Sequence, residues 1–587
     1  MYIEGMHKKN IWDRRTVMKH KRVLALCLVI VLSVCSCSTY RKNKNKSEEV
    51  EKDDLYWKQY EEACTTPFGR YPELITYSLG KMTGENNSNM PEGDTYENNA
   101  YTRYLKDYLN IQNKNSFEVS DNDGYDDVVN MAIANNNLPD IMVVSDLETL
   151  EKLVRLDMVE DLSEVYEKCT SDRIKEMYNS YGEAIFDNVT FDGKIMALPE
   201  TNIEDGPNLL WLRKDWMDKL KLKEPTTLDE ALDVIKEFVT KNAGGNGVDT
   251  VGLVCDANLT GECGYSSEYQ TDIIFANYNS FPKQWIYNAK GEVVYGSVQP
   301  EAKKALEKLH SMYEEKILDN QFLLRTTTNI IELINKGQCG SFFGPWWTPN
   351  NPLMQAIQLD PEANWQPYVI PTDGSGELKY YSQNPSYKYV VVRKGYEHPE
   401  IAAKIISTLF DYVRYEDKDA QEIVKYYQQN VDPSARPIAI NIDYSDALNQ
   451  CYENITDTLN GKKEADELEL LESSYYLSCQ SYLAATKKKE KVTAEDWSAY
   501  MSLIEACSLI NKANTKKVES LYFGTTETMQ SEWWKLENME KKAYLEIVTG
   551  EKPIEYFDEF VKEWNSSGGN TITKEVSDIV KARGVSH

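Results

Sequence analysis

Histidine is almost missing from this chain: five in 587 residues, at His7, His20, His310, His398 and His587. Two lie in the first 20 residues and one is the last. His310 and His398 alone cannot build a histidine-rich zinc site or an HExxH helix, and neither sits in a recognisable catalytic motif. Positive charge is also short, with 65 Lys+Arg against 94 Asp+Glu and a formal net charge of −29. That excess repels phosphate backbones and argues against non-specific nucleic-acid binding. The 11 cysteines show no metal-like CxxC spacing, and no Walker A loop occurs. No apolar run reaches the ~20 residues that a spanning helix needs. Core material is plentiful, at 41% hydrophobic and 11% aromatic residues, and the charge is too diluted for wholesale disorder. At ~100–200 residues per domain, the length fits several domains or one large two-lobed body.

The longest apolar run is Val23 to Val34, twelve residues behind the basic stretch Met18 to Arg22. It has the length of a signal-peptide h-region, and Met18 would begin a signal peptide of ordinary size. Val34-Cys35-Ser36-Cys37 follows. A small residue just before Cys37 gives the form of a lipobox, where bacterial lipoprotein signal peptidase leaves a lipidated N-terminal cysteine. Cys35 fits less well behind bulky Val34. Residues 1–36 are therefore expected to be a lipoprotein signal peptide, Cys37 the lipidation site, and 37–65 a tether, polar and charged over Ser38 to Asp54. Cleavage there removes seven basic and two acidic side chains and leaves a charge of −34 over 551 residues. Of the eight remaining cysteines, Cys255 and Cys263 could close a small disulfide loop. Buried unpaired thiols throughout are the alternative.

Strands and helices alternate along the body. Leu74 to Leu79, Ser116 to Ser120 and Leu138 to Val144 read as strands; Asn98 to Leu109, Asp126 to Asn135 and Leu147 to Leu156 read as helices. This is the βαβ pattern of a parallel sheet, with LPDIMVV buried on both faces. A second such set begins with the strand Leu209 to Leu212 and the helix Lys214 to Leu220. Thr227 and Glu230 form a capping box for a helix reaching about Val239. Pro300 opens another helix, which carries His310; His398 precedes Pro399 at the start of a further one, and neither histidine is given chemistry. From about Asp411 onward the chain reads as largely helical.

The order of segments carries a resemblance. NLPDIMVVSD (Asn137 to Asp146), DGKIMALP (Asp192 to Pro199), LLWLRKDWMDKLKLKEPTTLDEALDVI (Leu209 to Ile235), NKGQCGSFFGPWW (Asn335 to Trp347) and YKYVVVRKGYEHPEIAAKIISTLF (Tyr387 to Phe410) follow one another. Together with GEKPIEYFDEFVKEWNSSGGNTITKEV (Gly550 to Val576) they resemble the extracellular solute-binding proteins of family 1, lipoproteins that deliver carbohydrate to ABC importers. The match runs from about residue 66 to 580 and is loose near 411–495. The resemblance implies a two-lobed α/β fold of the periplasmic-binding-protein type II, with a hinge and extra C-terminal helices. It places lobe 1 at 66–200 plus about 385–515 and lobe 2 at 201–384 plus about 516–587. The crossovers then lie near Pro199 to Gly206 and Tyr381 to Tyr387, and ligand shifts an open–closed equilibrium.

Gly344-Pro345-Trp346-Trp347 is the most informative tetrapeptide, because family members carry a sugar-stacking aromatic here. A pyranose presents C–H groups to an indole while its hydroxyls need a few placed polar partners. Adjacent side chains diverge, so Trp346 is expected in the cleft and Trp347 in the core; the alternative makes both structural. Ser145 and Asp146 end a buried strand, where ligands gather in open α/β sheets. Asp146 could hold two sugar hydroxyls or cap the helix starting at Leu147. Tyr381, Gln383 and Asn384 lie at the second crossover and offer ring and amide groups. Glu97 is the choice from the loop Met82 to Asn99. Trp285 and Trp365 are expected in the core.

No catalytic residue, metal ligand or cofactor is assigned. Asn242 to Asp249 stands where long relatives carry a calcium-like loop, but Asn242 and Gly244 replace acidic residues and Asp249 falls one place early, so no calcium or only weak calcium is expected. Asp121-Asn122-Asp123-Gly124 is expected to be a helix-initiating turn. The expected function is a lipid-anchored, extracytoplasmic, monomeric protein that captures a carbohydrate, an oligosaccharide by its length and aromatic content, for an importer whose permease and ATPase are separate chains. A secreted carbohydrate-active enzyme and a sensory or scaffold lipoprotein of the same fold are the competing readings.

Overall fold

The computed structural model describes residues 54–84, 89–120, 124–182, 184–203, 206–245, 247–261, 268–371, 376–381 and 384–582. Cys37, Cys263, Gln383 and residues 121–123 lie outside these. The chain divides after Leu55, and the body, Tyr56–His587, carries the architecture.

In chain order, the main strands are β1 (Ile75–Thr83), β2 (Ile111–Ser120), β3 (Ile141–Val144), β4 (Leu198–Pro199), β5 (Leu209–Arg213), β6 (Ser341–Gly344), β7 (Trp365–Tyr368), β8 (Glu377–Tyr381), β9 (Tyr389–Val392) and β10 (Asn514–Val518). The first sheet has the order β2-β1-β3-β9-β4. β1 runs parallel to β2 and β3, whereas β9 returns antiparallel to β3 and β4. All four residues of β3 are buried, as its unbroken apolar run requires. The helix Ala100–Leu109 begins where the Asn99 side chain accepts from the Tyr101 and Thr102 N–H groups, and the Asn99 N–H donates to the Thr102 hydroxyl at 2.8 Å.

The second sheet differs from expectation. It is a three-stranded antiparallel sheet, β6-β5-β7, with β5 at its centre. The βαβ reading fails because the strands flanking β5 come from far along the chain. Beside this sheet the described residues add parallel pairing as the isolated bridges Val251–Cys339 and Leu253–Leu318. Pro367 fits because β7 is an edge strand. The helix Leu228–Thr240 starts as expected, its Thr227 hydroxyl accepting from the Glu230 N–H. The Glu230 carboxylate in turn accepts from the Thr226 N–H at 2.8 Å.

Two main cores follow the two sheets. One gathers Leu79, Ile141, Val390, Ile406 and Leu409 around the first sheet. The other joins Leu210 and Leu212 to Leu306, Leu309, Ile547 and Trp564, so the C-terminal helices complete it. The opposite face of β5 packs Leu209 and Trp211 against Phe342, Trp365, Trp497 and Met501. Trp285 and Trp365 are core residues, as expected. Between the sheets the two connecting segments run side by side. The Glu200 N–H donates to the Lys388 carbonyl at 2.8 Å and the Asn202 N–H to the Pro385 carbonyl at 2.9 Å. Farther along, β8 pairs in parallel with β10. Cys255 is a buried free thiol.

Candidate ligand-binding cleft

A cavity of about 1920 Å³ opens among these elements, and a second of about 810 Å³ shares Thr328, Asn351, Asp432, Pro433 and Asn441 with it. The larger one exceeds the ~300–1,000 Å³ that suits a drug-sized ligand. One wall comes from the segments on either side of β6, from Thr328 to Asn335 and from Trp346 to Gln358. Another comes from Asn89 to Pro91, Tyr101 and the segments from Arg414 to Tyr475.

The tryptophan wall follows from a tight turn. β6 ends at Gly344, where a Cβ would stand 2.5 Å from the Thr348 hydroxyl, so a larger residue would force the Thr348 side chain to move. The Gly344 carbonyl accepts from the buried Trp211 indole N–H at 3.2 Å, which fixes the strand end. The turn then places Trp346 and Trp347 on the cavity wall together. The expected division into one cleft and one core tryptophan does not hold, because both rings are only half-buried; Trp346 also packs against the cluster around Ile455 and Leu503.

The other chosen residues are held elsewhere. Asp146 caps the helix Leu147–Arg155, its carboxylate accepting from the Thr149 N–H at 2.7 Å. The Ser145 hydroxyl donates to the Asp126 carboxylate. The Glu97 carboxylate accepts from the Asn115 N–H at 2.6 Å. Tyr381 is buried against Ala276 and Phe281. Asn384 is buried within the crossover, its side-chain oxygen accepting from the Ser386 N–H at 3.2 Å and its carbonyl from the Asn202 amide at 2.9 Å. None of these five lines either cavity. Their polar or aromatic groups organise caps, turns and the hinge.

What sequence reading missed is the helical wall. Tyr415, Tyr426, Tyr427 and Tyr475 line it, giving seven aromatic side chains with Tyr101, Trp346 and Trp347. Asn89, Asn202, Asn335, Asn350, Asn351, Gln355, Gln358, Gln429, Asn430, Asn441, Gln450 and Asn454 add twelve amides. The run Tyr426-Tyr427-Gln428-Gln429-Asn430 was the one local signal for this surface.

Seven carboxyl groups share the larger cavity's lining with four cations: Glu332, Asp432, Asp443, Glu467, Glu469, Glu472 and Glu495 against Arg414, Lys418, Arg436 and Lys463. Arg414 donates to Asp443 at 2.7 Å and to the Ile442 carbonyl at 3.3 Å. Burial pushes the Glu469 carboxyl up to about 8, with Arg414 opposing and Asp443 and Glu472 adding to the rise. In the smaller cavity, burial holds Glu200 up at about 7 against the pull of Lys388 and the Asn441 N–H. Lys81 is buried, which lowers its ammonium to about 7. It donates to the carbonyls of Ser434 and, at 2.8 Å, Arg436, clamping the loop that floors this cavity to β1.

In the calcium-like loop the Asn242 side-chain oxygen accepts from the Thr250 N–H at 2.8 Å and the Thr250 hydroxyl at 2.7 Å, so the loop is crosslinked by its own side chains. Away from the cleft, Cys64, His398 and Glu400 form the one described cluster close enough to hold a metal ion. His398 Nδ1 lies 3.1 Å from Glu400, which also accepts from the Tyr71 hydroxyl at 2.5 Å. No helix among the described residues is long and apolar enough to cross a membrane.

Residues 87–411 match the profile of bacterial extracellular solute-binding proteins. The polygalacturonan/rhamnogalacturonan-binding protein YtcQ of Bacillus subtilis (strain 168) is 23% identical over 470 residues, covering 78% of this chain and 83% of its own. Lipoprotein LipO of the same strain is 21% identical over 471 residues, covering 78% and 84%. Among solved structures, the S. pneumoniae ABC-transporter substrate binding protein FusA in complex with kestose superposes with a TM-score of 0.59 at 14% identity, covering 87% of this chain and 99% of that one. The alginate-binding protein AlgQ2 superposes with a TM-score of 0.57 at 14% identity, over 87% and 98%. The shared architecture is the two-lobed α/β periplasmic-binding-protein fold.

Proposed function

The chain belongs to the bacterial extracellular solute-binding protein family, and from that premise we propose that it captures an oligosaccharide in the interlobe cleft and hands it to an ABC importer. The observation that carries this reading is the cavity lining of seven aromatic and twelve amide side chains. Rings pack against the C–H faces of pyranoses, and amides both donate to and accept from hydroxyls without adding charge. The cavity volume and the spread of rings over both walls support several sugar units over one. We take the lobes as 66–200 with about 385–515, and 201–384 with about 516–587; Trp497 and Met501, numbered with the first, pack onto β5 of the second. The paired segments around Glu200 to Asn202 and Pro385 to Lys388 serve as the hinge, and closure shifts toward whichever state holds ligand better.

The lipobox at Cys37 and the lipoprotein relative support an extracytoplasmic lipid anchor. The permease and ATPase are separate chains, and the binding protein acts as a monomer without calcium. The fold and the named relatives are those of binding proteins, which supports the reading that the glycan leaves the cleft unchanged.

Thermal melting against a panel of oligosaccharides tests this. A ligand at ~100 times its dissociation constant adds ~2.7 kcal/mol, a clear melting shift. Chromatography after overnight incubation should show intact glycan. A folded protein that no glycan stabilises contradicts the carbohydrate assignment, and cleavage products revive the enzyme reading.

A further inference from the structure

We propose that the glycan held in this cleft carries no carboxylate: the ligand is a neutral oligosaccharide, and uronate chains are turned away. This rests on the carbohydrate reading and narrows it.

The argument is one of charge and of committed donors. Seven carboxyl groups against four cations line the larger cavity. Even with the Glu469 carboxyl protonated near neutral pH, carboxylates outnumber cations six to four. The cations are also engaged within the protein. Arg414 is paired with Asp443 at 2.7 Å, and Arg436 donates to the Ile440 carbonyl at 2.7 Å. Lys463 donates to the Asn454 side-chain oxygen at 2.8 Å, and Lys418 to the Asp466 carbonyl. Recognition of a sugar carboxylate calls for a guanidinium fork or an ammonium that can turn to it. Here each of these four already donates to an oxygen of the protein. The smaller cavity sets Arg325, Lys388 and Lys541 against Asp256, Asp432 and a Glu200 carboxyl that burial holds up at about 7. Its Arg325 is tied to Asp319 at 2.6 Å, and its Lys541 donates to Asn258 at 2.7 Å. The net charge of −29 adds a long-range field that slows the approach of polyanions.

This separates the chain from YtcQ, named for polygalacturonan and rhamnogalacturonan. A lining of amides and rings reads hydroxyls and C–H faces, which both glycan classes have. The carboxyl surplus then works against the charged class, as like charges do when brought together at an interface.

Titration calorimetry on the purified protein, with neutral oligosaccharides and oligogalacturonides of equal length, decides the matter. At least one neutral glycan should bind, and oligogalacturonides should bind about 100-fold more weakly or not at all. Methyl-esterified oligogalacturonide, the same sugar without its charge, should bind more tightly than the free acid. Rising salt should narrow that gap by screening. Glu467→Gln with Glu472→Gln should narrow it too, by strengthening binding of the free acid more than binding of its methyl ester. Free oligogalacturonide binding as tightly as the best neutral glycan, or more tightly than its methyl ester, would overturn the inference and leave the carbohydrate reading standing. No binding by either class, from protein that melts cooperatively, would overturn both.

Discussion

The two walls of the cleft were built by different means. The tryptophan wall hangs from one strand end: β6, Gly344 and the close turn that follows. Its aromatic face is written in four consecutive residues. The helical wall collects Tyr101, Tyr415, Tyr427 and Tyr475 from four separate helical segments, the first of them far from the rest in sequence. Each of those tyrosines lies in a helical sequence where an aromatic ordinarily means core. A short motif on a sheet edge can be read locally; a surface assembled from many helices exists only after folding.

That contrast can be broken first at the core beneath the tryptophan wall. Trp365 is fully buried, while Trp346 is not. Trp365→Ala should cost about 3–5 kcal/mol of stability by emptying the core under β5, read as a large drop in the urea midpoint. Trp346→Ala should instead leave the midpoint nearly in place and weaken glycan binding by roughly 2 kcal/mol, about 30-fold in Kd. Tyr427→Ala tests the other wall and should weaken binding by roughly 1 kcal/mol. Equal effects of Trp346→Ala on stability and binding would place that ring in the core after all.

Titration sharpens the comparison. The folded chain holds the Glu469 carboxyl at about 8, against ~4.3 for an unperturbed glutamate. Between those values the folded state keeps a proton that the unfolded state has lost. Stability from this group is therefore greatest below ~4.3 and falls as pH rises toward about 8. Glu469→Gln should flatten the melting temperature against pH across that window. Lys81 acts in the opposite sense higher up: its folded value of about 7 against ~10.4 unfolded makes stability rise with pH over that range. A pH profile unchanged by Glu469→Gln would show that the carboxyl ionises normally on a wetter wall.

The smallest effect belongs to Asp146. As a helix cap, its replacement by alanine should cost about 1 kcal/mol of stability and leave glycan affinity unchanged. Loss of affinity without loss of stability would return it to the ligand site.

The parallel part of the first sheet, β2-β1-β3, was legible because βαβ order, the continuous run Ile141 to Val144 and the cap at Asp146 all depend on near neighbours; β9, which returns antiparallel to β3 from far along the chain, was not. The second sheet was not, because β5 pairs with β6 and β7, more than a hundred residues away. Among site residues, the Trp346-Trp347 turn announced itself through Gly-Pro and paired indoles. Asp146, Glu97 and Asn384 carried the right chemistry but spent it on backbone N–H groups, since short acidic and amide side chains cap and brace turns as readily as they hold ligands. Nothing in a linear reading separates those uses before the fold shows which side of the chain faces the cavity.

The most direct test of the central claim is calorimetric titration of the best-stabilising glycan into wild-type protein and into Trp346→Ala with Tyr427→Ala combined. The account expects saturable one-site binding to the wild type, loss of at least about 100-fold in affinity in the double variant, and matching melting curves without ligand. Full affinity retained by a well-folded double variant would place the ligand site outside this cleft.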